Sequence, residues 1–121
     1  QRLAQIGVIY APVGFLLASS DRLLEVCNGC GAADSWFRPP SKIYGTSISD
    51  ACNVHDWMYE VGRTIEDKDE ADRAFLNNML RLIKRDRKKW YKPSFLQRKR
   101  ACAYYAVVKY GGGPAFWQGK N

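Results

Sequence analysis

The sequence predicts an all-α fold, a small single domain in which two long antiparallel helices carry the chemistry. Three observations predict it. Apolar residues recur at helical spacing over long stretches in the second half of the chain. Gly and Pro gather between those stretches rather than within them. No segment alternates apolar and polar residues for long enough to demand a sheet. At 121 residues the chain is long enough for one core but not for two. A hydrophobic content of 46%, with seven Tyr and four Trp, excludes a disordered chain.

Residues 6–24 read as helix, interrupted at Pro12 and Gly14. Apolar residues surround most of this stretch, so part of it is expected to be buried or to face lipid. Residues 6–18 have the apolar character of a signal-peptide core, and Ala18-Ser19-Ser20 has the small residues of a cleavage site. We read the segment as ordered and packed. No run reaches the roughly 18 apolar residues of a membrane span. Residues 27–47 read as a loop, because Gly29, Gly31, Pro39, Pro40 and Gly45 forbid regular structure across it. Ser49 suits an N-cap for a helix running to about Val61, where Gly62 stops it.

A second long helix is expected from about Asp69 to Lys89, acidic at its start and basic at its end as the macrodipole favours. Its apolar stripe is Ala71, Phe75, Leu76, Met79, Leu82 and Ile83. Pro93 breaks it, and a third helix follows from about Phe95 to Tyr110, ended by Gly111-Gly112-Gly113. The expected organisation is an N-terminal helical segment (1–26), a loop (27–48), a helical core (49–110) and a C-terminal tail (111–121).

The net charge of +7 is uneven. Residues 81–100 hold ten Lys/Arg against one acid, a local +9, and the rest of the chain sums to −2. Such a pole attracts anionic surfaces, or it simply keeps a helix face solvated. The four cysteines, Cys27, Cys30, Cys52 and Cys102, point to two disulfides and an oxidising compartment, with three pairings open.

The chemistry concentrates on the helix after the loop. Cys52, His55, Asp56 and Tyr59 stand at i, i+3, i+4 and i+7, and His55 is the only histidine of the chain. In the next helix Asp72 points with the apolar stripe, where a carboxylate needs a partner. His55 is the natural one if the two helices pack antiparallel. Such a pair fixes the imidazole tautomer and leaves its other nitrogen to take a proton from water. Tyr59, one turn on, is placed to donate to Asp72. Asp56, offset by about 100° from His55, faces the loop Asn28-Gly29-Cys30-Gly31-Ala32-Ala33. A carboxylate beside inward-turned backbone carbonyls suits calcium.

Residues 51–59, Ala-Cys-Asn-Val-His-Asp-Trp-Met-Tyr, resemble the C-C-x-x-H-D-x-C-Y signature of the secreted phospholipases A2. Asn28-Gly29-Cys30-Gly31 is similar to their calcium loop, and Ala71-Asp72-Arg73-Ala74-Phe75 to the second-helix segment of the bacterial and fungal branch. The resemblance covers about residues 27–79. It implies calcium-dependent hydrolysis of the sn-2 ester of glycerophospholipids by a secreted enzyme acting at a membrane surface, an anionic one given the basic pole. It also implies roles. His55 is the base, Asp72 its orienting carboxylate, Tyr59 a supporting hydroxyl, and the Gly31 N–H an oxyanion donor. Asp56, Asn28 and the carbonyls of Gly29, Gly31 and Ala33 hold calcium. Cys30 pairs with Cys52, linking the calcium loop to the first long helix, and Cys27 pairs with Cys102. Met58 and Ala51 stand where the animal signature has cysteines, as in the two-disulfide branch. Ala33 replaces a loop glycine, and Asn28 replaces a bacterial Asp. Trp36, Phe37 and the apolar N-terminal segment are candidates for a lipid-contacting rim.

Two other readings compete. Cys27-x-x-Cys30 with Cys52-x-x-His55 has the spacing of a Cys3His zinc site, and with the basic pole and Trp90 and Tyr91 it spells a nucleic-acid-binding module. It leaves Asp56, Tyr59, Asp72 and Cys102 unexplained, so no nucleic-acid partner is expected. A phospholipase-like lipid-binding protein without turnover is the third, and it gives His55 and Asp72 no task.

Overall fold

The structure, a computed structural model, describes residues 2–27, 39–86 and 94–120. It is predominantly helical. The N-terminal stretch is divided further than its sequence predicts, into α1 (Arg2–Gln5), α2 (Val13–Leu17) and α3 (Ser20–Val26). Gly7, at φ 81°, turns the chain out of α1. Pro12 sits at the N-cap of α2 rather than within it, so Gly14 is helical after all. Ser19 then starts α3, its hydroxyl accepting the Arg22 N–H at 3.2 Å. The irregular backbone at Tyr10 is held by the buried Asn78 amide, which accepts from Tyr10 N and donates to Tyr10 O, both at 2.8 Å.

The 27–47 stretch is not wholly irregular, which corrects the purely helical expectation. β1 (Lys42–Ile43) and β2 (Thr46–Ser47) pair antiparallel, with Lys42 opposite Ser47 and Ile43 opposite Thr46. Tyr44 and Gly45 both take positive φ (46° and 88°), the requirement of a two-residue hairpin turn whose twist matches the strands. Strands of two residues leave no alternation to read.

The first long helix, α4, runs Ser49–Val61 as expected, but Ser49 is its first helical residue and Ile48 its N-cap. The Ser47 hydroxyl accepts the Ser49 N–H at 3.4 Å. The second, α5, runs Ile65–Arg85, starting four residues before the predicted position. A capping box explains this. Thr64 Oγ1 accepts the Asp67 N–H at 3.1 Å, and Asp67 Oδ2 accepts the Thr64 N–H at 3.1 Å. Its predicted stripe is buried at Ala71, Phe75, Met79, Leu82 and Ile83. Only residues 62–64 separate α4 from α5. Contacts run in opposite senses along them, His55 against Phe75 and Tyr59 against Lys68, so the two helices lie antiparallel.

α6 spans Ser94–Gly111 and packs along α5. Its buried Gln97 amide donates to Ile43 O at 3.0 Å and Thr46 Oγ1 at 2.7 Å, fixing the hairpin against the helix. The expected tail instead folds back as α7 (Gly113–Trp117) and buries Phe116 against α4. A Cβ on Gly62 would come within 2.7 Å of the Phe116 ring. Gly62 is therefore needed for close approach rather than for a left-handed cap. One hydrophobic cluster runs from Ala4 and Ile9 through α4 and α5 to Phe116.

Candidate active site

The antiparallel pairing of α4 and α5 brings four side chains to one buried point. His55 Nε2 and Asp72 Oδ1 are 2.9 Å apart. The Tyr59 hydroxyl donates to the same oxygen at 2.7 Å. Lys68, one turn before Asp72, donates its ammonium to Oδ2 at 2.7 Å. Asp72 is 1% exposed and the His55 side chain 10%. The rings of Tyr59 and Phe75 lie 4.1 and 4.7 Å from the imidazole, holding its plane. No described residue bonds Nδ1.

Burial is the largest influence on His55 and pushes it below its ordinary range; the Asp72 carboxylate opposes this and Lys68 adds to it. The imidazole is thus neutral near pH 7, with its proton on Nε2 facing the carboxylate and Nδ1 basic. Burial pushes the Asp72 carboxyl up, but hydrogen bonds from His55, Lys68 and Tyr59 outweigh it and hold the carboxyl ionised below its usual range. Burial, then the Asp72 carboxylate, drives the Tyr59 hydroxyl well above its usual range, so it acts only as a donor. No buried side-chain nitrogen or oxygen lacks a partner among the described residues.

Asp56 lies next along α4 and is half-buried. Its charge acts on Cys27, whose thiol is pushed up to about 11, first by burial and then by Asp56. Asp56 is therefore near Cys27, the last described residue before the expected loop. The other expected calcium ligands, Asn28, Gly29, Gly31 and Ala33, and the Gly31 oxyanion donor lie outside the described residues, as do Trp36 and Phe37. The donor chemistry of Asp56 fits a hard cation. No three His, Cys, Asp or Glu side chains gather at one point among the described residues. A cavity of about 280 Å³ opens between α3 and α4, lined by Phe15, Ser20, Leu23, Leu24, Cys27 and Asn53.

One expected crosslink is corrected. Cys27 and Cys102 are both free. The Cys27 thiol turns to α4 and donates to Asn53 O at 3.3 Å, whereas Cys102 stands on the solvent face of α6. Cys52 is disulfide-bonded, and its expected partner Cys30 lies outside the described residues. A bonded Cys52 has no thiolate to give zinc, which weighs against the Cys3His reading.

No family's sequence profile, no curated protein and no solved structure matches this chain. What distinguishes the site is its own chemistry. That chemistry is a neutral imidazole with one nitrogen held by an ionised carboxylate, an arrangement able to accept a proton at the other nitrogen.

Sequence reasoning reached His55, Asp72 and Tyr59 and missed Lys68. The signal was present, since Lys68 stands seven before Phe75 and therefore in the apolar stripe, at i, i+4 from Asp72. The C-terminal contribution was also missed. Lys120 donates its ammonium to Tyr59 O and lies 3.9 Å from the Phe116 ring centre, and Phe116 meets the Tyr59 ring edge-on at 5.2 Å. Nothing local in residues 112–120 announces that contact.

Proposed function

We propose that this chain hydrolyses the sn-2 acyl ester of glycerophospholipids, releasing a fatty acid and a lysophospholipid. The observation that carries the proposal is the His55–Asp72–Tyr59 cluster, in which the base and its orienting carboxylate are 2.9 Å apart. His55 Nδ1 takes a proton from a water as that water attacks the ester carbonyl, and Nε2–H remains on Asp72, which stabilises the imidazolium. The carbon–oxygen bond to the glycerol then breaks, and the imidazolium returns the proton to the departing alkoxide. Water is the nucleophile, so no acyl-enzyme forms.

Asp56 would hold part of a calcium site, and a bound calcium would supply positive charge for the developing oxyanion. The remaining ligands belong to residues 28–33 in this reading, with the Gly31 N–H as a second oxyanion donor. Support for a lipid substrate comes from the N-terminal segment, where Val13, Leu17 and Leu24 are 68%, 79% and 78% exposed. Apolar side chains crowded on one short stretch suit contact with a bilayer. The basic residues of 81–100 favour an anionic surface, each near such a surface contributing about 1 kcal/mol at low screening. Secretion and an oxidising compartment follow from the same reading. No helix among the described residues is long and apolar enough to cross a membrane.

The test is fatty-acid release from mixed-chain phosphatidylglycerol vesicles with calcium and then with a chelator. Release of the sn-2 acid alone, abolished by the chelator, is the expected result. Release unaffected by the chelator removes calcium from the account, and no release from any phospholipid removes the activity.

A further inference from the structure

We infer that Lys68 is a positioning residue for the base at His55, holding the Asp72 carboxylate in the one orientation that serves the imidazole. This deepens the proposed hydrolysis and rests on it for its catalytic consequence.

Lys68 is 4% exposed, and its ammonium has three donors and three acceptors. They are Asp72 Oδ2 at 2.7 Å, Val108 O at 3.0 Å and Lys109 O at 3.3 Å. The two carbonyls belong to the last turn of α6. Val108 O also accepts the Gly112 N–H at 2.9 Å. The ammonium is therefore located by α6, independently of the carboxylate it holds.

That matters because the two carboxylate oxygens do different work. Oδ1 receives both groups from α4, His55 Nε2 and the Tyr59 hydroxyl. Oδ2 receives only Lys68 among the described residues. With Oδ2 fixed to a point set by α6, the carboxylate plane cannot turn away from the imidazole. Without Lys68, Oδ2 is a buried acceptor with no donor, and the group rotates or takes a proton to satisfy it. Either change removes the fixed acceptor that keeps the imidazole proton on Nε2. As a stabilising device a buried ion pair is at best comparable with apolar packing. Its value here is directional.

Because His55 is the only histidine, its ring nitrogens can be observed without assignment by mutation. The test compares the full chain with Lys68→Met and Lys68→Gln, using ¹⁵N side-chain spectra of labelled histidine at neutral pH beside steady-state kinetics. The native ring is expected as a single Nε2–H tautomer. Both variants should show a mixture of tautomers, with kcat lower by on the order of tenfold to a hundredfold and KM little changed. A cooperatively folded variant that keeps the single tautomer and the native kcat overturns the inference. So does failure of both variants to fold, which marks Lys68 as structural. If the native protein hydrolyses no phospholipid, the tautomer measurement still decides the role of Lys68, so the two failures are distinguishable.

Discussion

Asp72 Oδ1 accepts from His55 Nε2 at 2.9 Å and from Tyr59 at 2.7 Å, while Oδ2 takes the Lys68 ammonium at 2.7 Å. A single carboxylate therefore joins α4 to α5 and, through Lys68, to α6. The charges balance, one cation against one anion, with a neutral imidazole and phenol between them. Removing either charge alone leaves the other buried.

The first prediction follows. Asp72→Asn strands the Lys68 cation and should lower unfolding free energy by about 3–5 kcal/mol. The double variant Lys68→Met/Asp72→Asn removes both charges and should recover most of that loss. Urea unfolding of the four proteins measures the coupling. Additive losses would mean the two groups are not energetically paired.

The pH dependence of stability has a defined sign. The folded-state values of both His55 and Asp72 lie below their ordinary ones. The unfolded chain therefore takes up each proton first, and stability falls as pH falls. Loss should begin below about 6.5, from His55, and deepen below about 4, from Asp72. Urea midpoints measured in a chelator from about pH 8 to about pH 3 should decline in those two windows. His55→Gln should remove the upper one. A midpoint that climbs between neutrality and mild acid contradicts the assignment.

Docking of the C-terminal helix predicts a steric effect at Gly62. A methyl there meets Phe116 Cε1 at 2.7 Å and Cζ at 2.9 Å. Gly62→Ala should destabilise by about 1–3 kcal/mol, and the smaller Phe116→Leu background should reduce that cost. Thermal unfolding of both backgrounds checks it. An unchanged melting temperature in Gly62→Ala means α7 does not press on α4.

Much of the site was legible because its logic is local. Helical spacing put His55 and Tyr59 on a common face, and the apolar stripe carried Asp72 inward, so the pairing needed only the short connection at residues 62–64. Lys68 was hidden by its company. It follows Glu66 and Asp67, where a lysine reads as a surface charge, and only the reach of α6 carbonyls makes its burial tolerable. The hairpin escaped because two-residue strands have no period, and α7 because its burial depends on Gly62 and Tyr59, far away in sequence. The start of α5 was misplaced because Asp67, rather than Glu or Gln, completes its capping box.

The corrected cysteine state gives a chemical prediction. Without reduction, the native protein should label at Cys102 rapidly, because it is exposed, and at Cys27 slowly, because its thiol is half-buried and pushed up to about 11. Peptide mapping of the alkylated protein reads both positions. Recovery of Cys27 joined to Cys102 contradicts the structure.

In the proposed reaction His55 activates the water. Fatty-acid release from phosphatidylglycerol vesicles with calcium, measured for the native chain and for His55→Gln side by side, tests it most directly. The account predicts release of the sn-2 acid by the native chain and a drop of on the order of a hundredfold to ten-thousandfold in the variant, with cooperative folding intact. Comparable release by the two proteins would contradict it.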